Sequence, residues 1–194
     1  DLVTDSLNST LGSILNSCIL LLSCSDDDGI PQWYRTFMEA NLALSGREQE
    51  LAYCILGGHF NYLVNRHPNW TTDQFIKGMT GEIQDLYVPT WTGFMYYSAP
   101  VNISTLPVLE PILFQAVRYI EKLKNTVVRK SFVRLYVFFL IYHVKNPFSS
   151  EVDNNHSEKS SSFITEFYRY TNTNDKTWFL EIINELLQKM NPDL

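Results

Sequence analysis

The stretch SFVRLYVFFLIYHVKNP, Ser131 to Pro147, constrains the fold of this chain more than any other. Its uncharged run extends only from Leu135 to Val144, closed off by Arg134 and Lys145. A bilayer core needs about 20 consecutive apolar residues, and this run falls well short. A helix lying on a membrane surface needs a polar face along its whole length. Here the face Arg134, Phe138, Ile141, Lys145 is apolar at its two middle positions. A helix that is apolar all round at its centre belongs in a protein interior. The segment therefore predicts a core helix whose basic ends reach solvent.

Stripes of the same period recur along the chain. Leu7, Leu11, Ile14, Cys18, Leu21 and Leu22 predict one amphipathic helix from about Leu2 to Leu22, ended by SDDDGIP. Trp33, Tyr34, Phe37, Met38 and Leu42 share the face of a second. Ser45 and Glu48 have the spacing of a capping box, and Leu51, Ala52, Ile55, Leu56 and Leu63 continue a third helix. Two adjacent glycines, Gly57 and Gly58, interrupt its middle. Each costs about 1 kcal/mol relative to alanine in a helix, so either the helix breaks there or another backbone packs closely on it, the second being favoured. Thr71 and Gln74 repeat the cap spacing ahead of Phe75, Met79, Ile83 and Leu86.

From Val88 to Thr105 the helical period gives way to proline, glycine and aromatics, which predicts a long ordered loop or a short strand pair. Helix resumes at Pro107 with Leu109, Ile112, Leu113, Ala116, Val117, Ile120 and Leu123, and the opening segment follows. Residues 146 to 162 read as a mobile polar linker rich in Ser and Asn. Two helices close the chain, the stronger marked by Trp178, Phe179, Ile182, Ile183, Leu186, Leu187 and Met190. The fold class is therefore all-α, with about eight helices in four hairpins. Units of roughly 40 to 45 residues fit an irregular HEAT or armadillo-like stack. Because the units share no residue pattern, an irregular helical bundle fits nearly as well.

At 194 residues, 45% of them hydrophobic and 19% charged, the chain can bury a large core as a single helical domain. It has neither an initiator Met nor a basic n-region at its start. Beginning inside an amphipathic pattern, it reads as part of a longer chain. Cys18, Cys24 and Cys54 are too few for a disulfide framework and read as reduced, buried thiols. That places the protein inside the cell, cytoplasmic or nuclear. Sequons at Asn8, Asn69, Asn102 and Asn155 keep secretion as the alternative.

Chemistry is sparse. CSDDDGI puts Cys24 and Arg35 where an EF-hand needs carboxylates. His59, His67, His143 and His156 make no metal-ligand spacing with one another or with the cysteines. Gly78 and Gly81 have the spacing of a nucleic-acid clamp but enclose no basic residue. Neither a nucleophile elbow nor a phosphate-binding or dinucleotide loop occurs. The reading is non-catalytic, without cofactor or metal.

Two features point to contact surfaces. Trp91, Phe94, Tyr96 and Tyr97 fall outside any helical register, and such aromatics suit binding hot spots. They also suit a loop that folds back and plugs a gap between hairpins. Between Arg118 and Lys145, seven basic residues (Arg118, Lys122, Lys124, Arg129, Lys130, Arg134 and Lys145) face one acid, Glu121, in a chain of net charge −6. That segment suits an acidic protein surface or, less well given the net charge, nucleic acid. It also suits pairing with the chain's own acidic helices. The expected function is a helical scaffold or adaptor that mediates protein–protein interaction. The alternatives are a nucleic-acid-binding helical domain using residues 118 to 145 and a secreted or viral helical effector.

Overall fold

The computed structural model describes residues 1–24, 30–97, 105–145 and 155–190. Among them the chain is helical throughout, with eleven α-helices, one 3-10 helix and no strand. It divides into two compact units, Asp1–Ile112 and Leu113–Leu194.

The first unit contains α1 (Leu2–Asn8), α2 (Thr10–Ser23), α3 (Gln32–Leu42), α4 (Arg47–Gly58), α5 (Phe60–Arg66), α6 (Pro68–Thr80), α7 (Gln84–Tyr97) and the start of α8 (Leu106–Ala116). The expected eight helices become eleven partly because long periodic stripes are cut. Ser9, in extended conformation, ends α1 and caps α2 by accepting the Gly12 N–H at 3.0 Å. The two helices meet at a bend of 69°. His59 likewise separates α4 from α5. Neither expected capping box forms. Gly46, at φ 65°, caps α4, and α6 starts at Pro68, ahead of Thr71.

The centre of this unit is α4, whose residues from Leu51 to Gly58 are all buried. It packs most extensively on α7, and also on α1, α2 and α3. A Cβ on Gly57 would collide with the Thr90 carbonyl oxygen, and one on Gly93 with the Cys54 carbonyl oxygen. The two backbones therefore touch, as the close-packing reading of the glycines requires. The region from Val88 to Tyr97 is accordingly helix and not loop or strand. Pro89 sits within α7 near its start, and Gly93 lies at the crossing. Burial against α4 outweighs the local cost of both residues.

The second unit contains the end of α8, the 3-10 helix Val117–Lys122, α9 (Thr126–Lys145), α10 (Asn155–Tyr170) and α11 (Thr173–Met190). The predicted core helix is α9. Phe132, Val133, Tyr136, Val137 and Phe139 are buried along it, and it packs on α10 and α11. Phe167 and Phe179 stack at 4.5 Å between ring centroids, and the Tyr136 hydroxyl donates to the Phe163 carbonyl at 3.0 Å. The linker reading needs correction over its second half, because α10 already begins at Asn155. Its first half, residues 146–154, lies outside the described residues.

Candidate functional site

The four aromatics divide sharply. Trp91 and Phe94 are buried, and the Trp91 indole N–H donates to the Met79 carbonyl at 2.8 Å. Phe94 meets Phe60 and Trp91 edge-on at 5.5 and 5.4 Å. Both are core residues that join α7 to α5 and α6. Tyr96 and Tyr97 alone reach the surface.

The basic segment is largely engaged within its own unit. Arg129 makes two hydrogen bonds, at 2.7 and 2.6 Å, to Asp175, whose side chain is fully buried. Asp175 also accepts from the Asn172 N–H, while Asn172 Oδ1 accepts from the Asp175 N–H, so the ion pair is built into the N-terminal cap of α11. Arg118 lies 3.5 Å from Glu166, which also receives Arg169 at 3.0 Å, and the Arg118 guanidinium lies 6.0 Å from the Phe114 ring centroid and 5.9 Å from that of Tyr170. Arg134 pairs with Glu185 at 3.4 Å, and Lys130 lies over Trp178 and Lys122 over Tyr119. Lys124 is exposed without an ion pair among the described residues. The sequence could count these charges but could not see that α10 and α11 bring acids to them.

What the sequence pattern missed lies on α2. Of the stripe picked out by periodicity, only Leu22 packs fully inward. Gly12, Leu15, Ile19 and Leu22 face the interior, whereas Ile14 and Leu21 are exposed and Leu11 and Cys18 lie half-buried between them. Leu20 is exposed as well. Because α2 is apolar on more than one side and carries no charged residue, periodicity alone could not choose its inner face. Leu21 is 61% exposed and its neighbour Leu22 is 1% exposed. No basic residue occurs before Arg35, while Asp1, Asp5, Asp26, Asp27 and Asp28 lie in that interval. No single described helix is long and apolar enough to cross a membrane; α1 and α2 pass that test only together, across their bend.

The cysteines need a correction too. Cys54 is buried, and burial pushes its thiol up to about 11, but Cys18 is half-buried and Cys24 exposed. Among the described residues no cluster of three His, Cys, Asp or Glu side chains could hold a metal.

A second feature of the first unit is a cleft of about 310 Å³, lined by Ser6, Leu7, Asn16, Ile55, Gly58, His59 and Tyr97. His59 Nε2 lies 3.1 Å from Asn16 Oδ1, and the Tyr97 hydroxyl lies 3.3 Å from both Ser6 Oγ and the Val3 carbonyl. Burial holds the His59 ring below the ordinary histidine range.

Comparison with protein-family models, with curated proteins and with solved structures finds no match.

Proposed function

We propose that this chain is a non-catalytic helical adaptor, an irregular bundle in its first unit, that docks an amphipathic helix of another protein on the exposed face of α2. The carrying observation is that face itself: on a helix without charge, Ile14 and Leu21 are exposed and Leu11 and Cys18 half-exposed along one stripe, while Leu15, Ile19 and Leu22 pack inward. Exposed apolar stripes of this kind favour partners that cover them. In a repeat stack each unit touches only its neighbours; α4 instead packs on α1 and on α7, each three helices away in the chain, which supports the bundle.

The charge balance of the N-terminal sequence favours one kind of partner. Up to Arg35 the sequence holds five acids and no base, of which Asp5 is paired with Arg47; this acidic balance favours a helix with basic flanks over an anionic lipid surface. The acidic partner suggested by residues 118 to 145 is less well supported, since Arg129 is bound to Asp175 and Arg118 and Arg134 have carboxylate partners.

The test is a titration of the chain with a synthetic amphipathic helical peptide carrying a leucine face and lysine flanks. A twin with glutamate flanks and phosphatidylserine vesicles serve as controls. The lysine peptide should bind, and Leu21→Asp or Ile14→Asp should weaken it at least about tenfold, the equivalent of about 1.4 kcal/mol. Added salt should also weaken it. Equal binding of both peptides, binding indifferent to Leu21→Asp, or a preference for the vesicles would overturn the reading.

A further inference from the structure

We propose that the cleft between α1, α2, α4 and α7 is a binding site for a small uncharged molecule that carries one O–H or N–H donor on an apolar body. This goes beyond the docking surface and does not depend on it. The cleft's seven lining residues include no carboxylate, ammonium or guanidinium. A charged ligand would lose its hydration there without gaining a counterion. Its volume of about 310 Å³ is enough for a single-ring molecule.

The acceptor is set by a chain of hydrogen bonds. Asn16 Nδ2 donates to the Ser6 carbonyl at 3.2 Å and the Gly12 carbonyl at 3.0 Å. With both amide hydrogens spent, the group left facing His59 Nε2 is the amide oxygen, which can only accept. Nε2 must therefore carry the proton. In the neutral ring the lone pair then lies on Nδ1, which has no hydrogen-bond partner among the described residues. Burial keeps the ring neutral at neutral pH.

The walls supply the apolar contact. Leu7 and Ile55 line the cleft. A Cβ on Gly58 would come within 2.9 Å of Tyr97 Cβ and Cδ2, so the glycine lets the tyrosine ring lie directly on the α4 backbone. The Ser6 hydroxyl is committed to the Val3 carbonyl at 2.7 Å. The Tyr97 hydroxyl, held among the described residues by two contacts of 3.3 Å, can turn towards a ligand as a second polar group.

The experiment titrates the intact chain with phenol and follows the His59 imidazole nitrogens by nuclear magnetic resonance. Toluene tests the need for a donor, and benzoate and benzylamine test the exclusion of charge. Phenol should move the His59 Nδ1 signal and saturate in the millimolar range, the strength open to so small a ligand. Toluene and both charged probes should bind at least about tenfold more weakly. His59→Phe should lose most of the phenol affinity, and Leu7→Trp, which fills the cleft from a partly exposed position, should block it while sparing the fold. Absence of saturation at about 20 mM phenol, toluene binding as well as phenol, or phenol affinity unchanged in a folded Leu7→Trp variant would overturn the proposal.

Discussion

Helices α2 and α9 carry comparable apolar runs and end in opposite situations. In α9, Phe132, Val133, Leu135, Tyr136, Val137, Phe139 and Leu140 are buried, with α10 and α11 packed on the helix. Its basic residues Arg129, Lys130 and Arg134 find two carboxylates and a ring on α11. In α2 only Leu15, Ile19 and Leu22 are fully inside, and Ile14, Leu20 and Leu21 stay in water. One segment has had most of its apolar groups and its described charges answered within its own unit. The other has been answered on one side only. An apolar run thus marks burial only where the fold supplies enough surface to cover it, and the uncovered remainder is where a partner gains most.

The largest expected effect lies at the buried end of this contrast. Arg129→Ala leaves the fully buried Asp175 without its cation and disturbs the α11 cap, and should cost about 3 to 5 kcal/mol in denaturant unfolding. Arg134→Ala removes an exposed pair with Glu185 from the same helix and should cost less than about 1 kcal/mol. Equal costs would mean that α9 is not graded from an internal to a solvated face.

A smaller effect distinguishes the first unit by pH. Burial lowers the pKa of His59, which ties α4 to α2 through Asn16; burial and the Arg66 charge lower that of His67. A folded-state pKa below the unfolded value of about 6.5 means that the unfolded chain binds more protons in the interval between them. The neutral rings' contribution is complete above that value and falls as pH falls towards the folded pKa. The unfolding midpoint should therefore drop between about pH 7.5 and about pH 5.5, before most carboxylates titrate. His59→Gln should reduce the drop. A midpoint that rises over this interval would contradict the buried, neutral state of both rings.

What could be read in advance follows the same division. The α9 core was legible because an apolar centre between basic ends admits one solution, and Tyr34, Met38 and Leu42 of α3 lie on the buried face their spacing indicates. The helix containing Trp91 was not legible. Pro89 and Gly93 are local breakers, and the reason they are tolerated is the contact of Gly93 with the Cys54 carbonyl, a partner 39 positions away in the chain. Asp175 shows the same limit from the polar side: its capping role is local, but the cation that neutralises it lies at Arg129. In α2 the information was insufficient even locally, since the outer spacing through Ile14 and Leu21 and the inner spacing through Leu15 and Leu22 are both regular. Only packing against α1, α3 and α4 separates them.

The adjacent pair Leu21 and Leu22 tests that separation most directly. Each is replaced by alanine and the denaturant midpoint is measured for both variants. Leu22→Ala empties a buried site and should cost about 2 to 5 kcal/mol. Leu21→Ala removes mostly solvated side-chain atoms and should stay within about 0.5 kcal/mol of the parent chain. A Leu21→Ala variant as unstable as Leu22→Ala would show that the stripe through Ile14 and Leu21 is core, and that no docking face exists on α2.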